Sequence, residues 1–267
     1  MTPSLRPIGI FDSGLGGLTV FNAVRRLLPR ENLIYFGDTA HVPYGSKSAA
    51  AVTAYSLEIA RFLRGKKIKL LIVACNTASA LALDELRKNL DIPVIGVLEP
   101  GVRRAMAVSK TRRIGVIGTE ATIKSGAYTR KIREIEPSAK VYGLACPLFV
   151  PLVEEGWWKH RVTRLVASEY LNRLRPAKID TLILGCTHYP VIKETIARAA
   201  GAKVELIDSA ETVAQEAREL LNARGLARKT GKVKIKVYVS DDPARFALRA
   251  ANLPAGRLGS VALKRFS

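Results

Sequence analysis

Two segments carry the residues best suited to chemistry. In KLLIVACNTASALAL (69–83) and in TLILGCTHYPVI (181–192), an apolar run climbs to one cysteine and polar residues follow at once. The chain has three cysteines, and these segments hold two of them, Cys75 and Cys186. A free thiol titrates near pH 8.5, lower beside positive charge or a helix N-terminus, so it can take or give a proton close to neutrality. Two thiols on opposite sides of a carbon with one acidic C–H would invert that carbon. One, as thiolate, removes the proton; the other, as thiol, delivers a proton to the opposite face, and the roles exchange in reverse. A single base would have to turn the substrate over.

The neighbours fit this chemistry. Asp12 closes the apolar run IGIF, where it can receive an ammonium group or tune a proton bound for Cys75. His188, two residues after Cys186, is close enough to stabilise a thiolate or to move its proton. CNT and CTH each set two hydrogen-bonding side chains directly after the cysteine. The glycine-rich loop after Asp12 is expected to enter a helix near Gly16 or Gly17, with backbone N–H groups facing a substrate carboxylate. Gly14, Gly16 and Gly17 do not form the G-x-G-x-x-G dinucleotide signature, so no NAD is inferred. The plainer reading of any cysteine is burial as a small hydrophobe. Cys146 keeps that reading, because nothing symmetric answers it. A Cys–His hydrolase, using Cys186 or Cys75 with His188, is the competing chemistry, and it leaves one cysteine idle.

Placing two thiols across one carbon demands two similar supports. Short apolar runs, IGIF (8–11), LIYF (33–36), LLIVA (70–74), VIGV (94–97), IGVIG (114–118), VYGLA (141–145), TLILG (181–185) and VELI (204–207), alternate with helix-length segments such as 56–63 and 163–174. That alternation predicts parallel sheets covered by helices, with ligands beyond the carboxyl ends of the strands. Asp12 to Cys75 spans 63 residues and Thr119 to Cys186 spans 67. The near-equality suggests a duplication: two pseudo-symmetric α/β domains with mostly parallel sheets and the site in the cleft between them. The expected division is 1–98 plus 210–267 for the first domain and 99–209 for the second. The hinge is placed at Glu99–Gly101 and the return crossing near Asp208 and Ser209. Residues 238–253 read as a further strand, a polar turn and a helix rejoining the first half.

Composition sets limits on partners. The 267 residues are 48% hydrophobic, enough for a real core. No apolar run approaches membrane-helix length and no secretory signal opens the chain, so the expected address is the cytosol and no membrane partner is expected. Three cysteines and three histidines without metal-site spacing argue against a metal. The net charge of +20 raises the question of nucleic acid. The basic residues are scattered without interleaved aromatics, and Lys232, Lys234 and Lys236 alternate as on a strand's solvent face. A solvated surface is therefore expected, and a nucleic-acid partner is not. His160, beside Trp157 and Trp158, reads as a surface or packing residue.

The motifs FDSGLGGLTV, YFGDTAHVPYG, ACNTASA, VIGVLEPG, GTEATIKSGAY, CPLFVPLVEEG, LGCTHYP and IDSAETVA follow one another along the chain. With them the chain resembles the glutamate racemases of the aspartate/glutamate racemase family, cofactor-independent enzymes that make D-glutamate for bacterial cell walls. The resemblance implies a two-domain α/β fold with pseudo-twofold symmetry, a homodimer, no cofactor and glutamate as substrate. Aspartate or another acidic amino acid is the close alternative. It implies that Cys75 and Cys186 are the catalytic pair, assisted by Asp12, Glu154 and His188. The substrate contacts it implies are Asp12, Ser13, Tyr44, Gly45, Asn76, Thr77, Thr187 and His188, with Thr119 and Thr122 near a substrate carboxylate. The basic charge and the tail GRLGSVALKRFS depart from the family pattern.

Overall fold

The computed structural model describes residues 2–251, 253 and 258–266. Among these residues ten strands make two sheets, every pair parallel. The first contains β1 (Ile8–Asp12), β2 (Leu33–Gly37), β3 (Leu70–Val73), β4 (Val94–Gly96), β9 (Ile235–Val239) and β10 (Val261–Leu263), in the order β10-β9-β2-β1-β3-β4. The second contains β5 (Arg113–Gly118), β6 (Lys140–Ala145), β7 (Thr181–Gly185) and β8 (Glu205–Asp208), in the order β6-β5-β7-β8.

The central strands are continuous apolar runs because helices cover both of their faces. Alternate residues point to opposite layers. In the first sheet Ile8, Ile10, Leu70 and Ile72 pack with helices Leu18–Leu27 and Ser209–Ala223, while Phe11, Leu71 and Val73 pack with Ala49–Gly65 and Leu83–Asn89. In the second, Leu182 and Leu184 face helices Phe149–Glu154, Arg161–Asn172 and Lys193–Ala200, and Val116 and Ile183 face Leu98–Val108 and Ala127–Ile135.

The two sheets share one winding. In each, the first strand pairs with the second on one side and with the third on the other, so the connections diverge between β1 and β3 and again between β5 and β7. Such a switch point opens a crevice at the carboxyl ends of the strands, where ligands bind in open α/β sheets. Asp12 and Cys75 stand at the first switch point, Thr119 and Cys186 at the second.

Several details differ from the sequence reading. Glu99–Gly101, expected as a hinge, lie in the first turn of helix Leu98–Val108. The strand expected from Tyr238 starts at Ile235. The tail supplies β10, paired with β9, and Phe266 packs 5.4 Å from the ring of Phe36. Asn252, together with Gly256, Arg257 and Ser267 of the tail, lies outside the described residues. Lys232, Lys234 and Lys236 are exposed, but only Lys236 lies on a strand, and Val233 between the first two is exposed as well, so the expected alternation holds only from β9 onward. Among the described residues no helix is long and apolar enough to cross a membrane.

Candidate active site

Each cysteine stands where a strand gives way to a polar segment. Cys75 follows β3 in extended conformation and is the N-cap residue of helix Asn76–Leu81, which starts its two polar neighbours back over the strand end. Cys186 follows β7, and the chain turns through Thr187 and His188 into the 3₁₀ turn Tyr189–Ile192. Both thiols are buried, at 5% and 6% exposure, and neither is in a disulfide.

The residues beside one cysteine touch the opposite sheet. Thr187 donates from its hydroxyl to Asp12 Oδ1 at 3.2 Å. On the other flank, Thr77 Oγ1 lies 3.0 Å from Thr119 Oγ1 and 3.1 Å from Thr122 Oγ1, which are 2.9 Å from each other. These contacts close the gap between the sheets on both sides of the thiols. Two glycines permit the approach. A Cβ on Gly16 would lie 2.5 Å from His188 Nδ1 and from Thr187 Oγ1, and one on Gly45 would lie 2.5 Å from Thr119 Cβ.

The electrostatics of the two halves differ. Burial, and then the charge of Asp12, push the Cys75 thiol up to about 12, and a smaller push comes from Cys186 across the gap. Its side-chain neighbour is Ser13 Oγ at 3.9 Å. Cys186 Sγ instead lies 3.7 Å from His188 Nδ1, and His188 Nε2 lies 2.7 Å from Glu154 Oε1. Burial by itself would depress His188, but its hydrogen bonds to Cys186 and Glu154 outweigh burial and hold the imidazole well above its usual pKa. Burial likewise would raise Glu154, and His188 and Arg249 pull it below the usual carboxylate range. An imidazolium against an ionised carboxylate is the consistent assignment, and it sets a positive charge beside Cys186 Sγ.

The expected site residues are placed as follows. Asp12, Ser13, Asn76, Thr77, Thr187 and His188 converge on the closed gap, and Glu154 backs it through His188. The Asp12 carboxylate accepts from the backbone of Gly14 (2.9 Å) and Gly17 (3.0 Å). Those N–H groups, expected to meet a substrate carboxylate, are therefore taken by the protein's own acid, which fixes it at the start of helix Leu18–Leu27. Tyr44 is buried with its hydroxyl 2.5 Å from Asp38 Oδ2, so its phenol faces the protein, and Gly45 lies against Thr119. Cys146 is wholly buried in the core cluster that also holds Cys186, and its thiol hydrogen bond runs to Leu144 O rather than to any of these side chains. His160 caps helix Arg161–Asn172 at the surface. A cavity of about 210 Å³ opens beside Glu154, Gly14 and Val42; neither cysteine lines it. Among the described residues no group of three His, Cys, Asp or Glu side chains forms a metal site.

With this geometry in place, comparison with known proteins is decisive. The profile described as Asp/Glu/Hydantoin racemase matches residues 13–217. The chain belongs to this racemase family. It is 54% identical to the glutamate racemase of Geobacter metallireducens over 257 residues, 96% of this chain and 95% of that one. Among solved structures, the glutamate racemase of Thermus thermophilus in complex with β-chloro-D-alanine superposes with TM-score 0.90 at 47% identity, covering 99% and 98% of the two chains. That of Francisella tularensis in complex with D-glutamate gives 0.90 at 40% identity with the same coverage.

Some residues that shape the racemase site gave no chemical signal in the sequence. Tyr128 donates to Asn76 Oδ1 at 2.6 Å, and Asn76 Nδ2 is buried without a hydrogen-bond partner among the described residues. Asp38 gathers Tyr44, His41 (2.9 Å) and Ser240 (2.7 Å), and Tyr35 holds the Gly14 carbonyl at 2.6 Å. Asp38 and Tyr128 lie inside YFGDTAHVPYG and GTEATIKSGAY, where their position hinted at a role that their side-chain types did not define.

Proposed function

We propose that the chain interconverts L- and D-glutamate by two-base proton transfer, with Cys75 and Cys186 as the bases. The observation that carries this reading is the pair of thiols at equivalent strand ends of two like-wound sheets, enclosed together between the Asp12–Thr187 and Thr77–Thr119 contacts. The relatives named above act as glutamate racemases, and the D-glutamate complex of one of them supports the same substrate here.

In one direction the Cys186 thiolate takes the α-proton and its S–H bond forms. The electron pair left on the α-carbon is conjugated into the substrate carboxylate. Cys75 then gives its thiol proton to the opposite face and is left as thiolate; the reverse reaction exchanges the roles. The imidazolium of His188, backed by Glu154, offsets negative charge on Cys186. On the other side, Asp12 faces the substrate ammonium, and a cation beside Asp12 lowers the cost of ionising Cys75. The unpartnered Asn76 Nδ2, with Ser13, Thr77 and Thr187, supplies hydrogen bonds for the substrate. Tyr44 and Gly45 contribute backbone, since the Tyr44 phenol is held by Asp38. The closed gap admits substrate when the domains, divided as 1–98 plus 210–267 and 99–209, move apart. A homodimer in the cytoplasm supplying D-glutamate for peptidoglycan is the setting we assign.

Cys186, His188 and Glu154 also have the makeup of a hydrolase's nucleophile, base and orienting acid. That reading gives Cys75 no task. The test is incubation with L-glutamate and then D-glutamate in heavy water. Deuterium at the α-carbon with inversion and no acyl-enzyme is expected; a folded sample that inverts neither enantiomer overturns the proposal.

A further inference from the structure

Arg249 belongs to helix Pro243–Ala251, which packs on the first sheet through Phe246 and Ala250. Its guanidinium crosses to the second domain, donating to Glu154 Oε2 at 3.0 Å and to Glu155 Oε1 at 2.8 Å. The other oxygen of Glu154 holds His188 at 2.7 Å, and His188 meets Cys186 at 3.7 Å. The Arg249 and Glu154 side chains are only 24% and 17% exposed, so this is not a solvated surface pair of negligible worth.

We propose that Arg249 is a positioning residue for the Cys186 half of the reaction. It fixes the Glu154 carboxylate against His188, and through it the imidazole against Cys186, when the two domains are closed. The assignment rests on the two-base reading given above.

The argument is one of geometry. A carboxylate held at one oxygen can still turn about its terminal bond. A guanidinium fork spanning Glu154 and Glu155 fixes its plane and keeps it ionised. His188 and Arg249 are the two side chains that hydrogen-bond Glu154 among the described residues. Arg245, Asp241 and Asp242 line the same cavity mouth, and Glu155 shares the guanidinium. Arg249 comes from one domain while Glu154, His188 and Cys186 come from the other. The chain of contacts is therefore complete only in the closed form, which ties readiness of this base to closure. On the opposite side Cys75 has Ser13 beside it and no imidazole.

Loss of Arg249 should thus raise one of the two proton-transfer barriers. Enantiomers have equal free energy, so kcat/KM must fall by the same factor with L- and D-glutamate. The asymmetry is read instead from α-deuterium isotope effects on kcat/KM. The effect should grow for the enantiomer deprotonated by Cys186 and shrink for the other. For Arg249→Gln we expect about a tenfold fall in kcat/KM, the worth of one hydrogen bond to a charged group, with the two isotope effects moving apart. Arg249→Lys keeps the charge without the fork and should recover part of the loss. Arg245→Gln, one turn earlier on the same helix, should leave both isotope effects at parental values. An isotope effect is a ratio within one preparation, so a partly unfolded sample does not shift it. If Arg249→Gln racemises at the parental rate, or slows with both isotope effects unchanged, the assignment is overturned. A parent protein that racemises neither enantiomer would overturn the functional reading and this assignment with it.

Discussion

Cys75 and Cys186 are the same residue type at matching strand ends, yet their surroundings treat negative charge differently. Cys75 faces the Asp12 carboxylate with its thiol pushed up to about 12, whereas Cys186 faces an imidazolium. Ionising Cys75 in the ligand-free enzyme is therefore costly, and in the proposed mechanism a substrate ammonium group beside Asp12 lowers that cost. Replacing either thiol by a hydroxyl removes one base. Cys75→Ser and Cys186→Ser should each lower racemisation by roughly 10²–10⁴-fold, the usual worth of a positioned acid–base group. Each variant should still eliminate a β-leaving group from one enantiomer of a substrate analogue, and the two should select opposite enantiomers. Stereochemical assay of the elimination checks this; matching selectivity would contradict thiols on opposite faces. Gly16→Ala should also disable the site, because the new Cβ would lie 2.5 Å from His188 Nδ1 and from Thr187 Oγ1 and force both aside; a racemisation assay checks it.

The elements that carry these residues are held at their far ends by polar groups, half-buried in the second sheet and buried in the first. In the second sheet Asp180, just before β7, accepts from the backbone of Lys110 (2.7 Å) and Thr111 (2.6 Å), and from the hydroxyls of Ser109 (2.8 Å) and Thr181 (2.9 Å). It ties the entry of β5 to that of β7, whose other ends bear Thr119 and Cys186. Burial raises its carboxyl, but these hydrogen bonds outweigh burial and bring it to about 2, below the ordinary 3.8. A depressed acid stabilises the fold fully above its unfolded pKa and loses that contribution as pH falls through the folded one. Stability should therefore decline between about pH 4 and pH 2, and Asp180→Asn should flatten that part of the curve; urea titrations across this range measure it. In the first sheet Lys69 plays the corresponding part. Its ammonium lies 2.6 Å from Glu31 and donates to the carbonyls of Ser4 (2.8 Å) and Leu226 (2.7 Å), at 3% exposure. Lys69→Met leaves Glu31 buried without its cationic partner, holding only the Arg228 N–H at 2.8 Å, and should cost about 3–5 kcal/mol in chemical denaturation.

For the whole molecule, the proposed site draws its residues from two α/β domains, and the proposed mechanism requires them to close over it. Gly45 lies in the 3₁₀ turn Tyr44–Ser46 of the first domain against Thr119 of the second, with no room for a Cβ. Gly45→Val should hold the domains apart rather than unfold them, since the clash is relieved by opening. We expect kcat/KM to fall by more than about tenfold while thermal stability changes little, within the ~0.5 kcal/mol usual for substitutions outside a core. Small-angle scattering should show a larger radius of gyration than the parent. The +20 charge works at this scale too. It is a property of the surface, and at physiological salt the protein should show no specific duplex affinity; binding that falls steeply with added salt would reveal a phosphate-neutralising site instead.

By itself the sequence determined the periodicity and the chemistry. Eight apolar runs fell on strands β1 to β8: central strands are buried on both faces and so apolar throughout, whereas the edge strands β6 and β8 are only partly buried and begin with an exposed charged residue. The two cysteines stood out because each interrupts such a run at its end. The equal winding of the two sheets was already hinted at by the similar spacings from Asp12 and Thr119 to their cysteines. What the sequence left open are long-range pairings between residues of ordinary type. Arg249 is one arginine among many until it meets Glu154, 95 residues away, and Tyr128 is one aromatic until it meets Asn76. The glycine N–H groups after Asp12 looked free for a ligand until their distances to its carboxylate were fixed. Local pattern is imposed by the backbone's own periodicity and can be read along the chain. Which polar group spends its hydrogen bonds on the protein, and which keeps one for a substrate, is decided only when the two sheets come together.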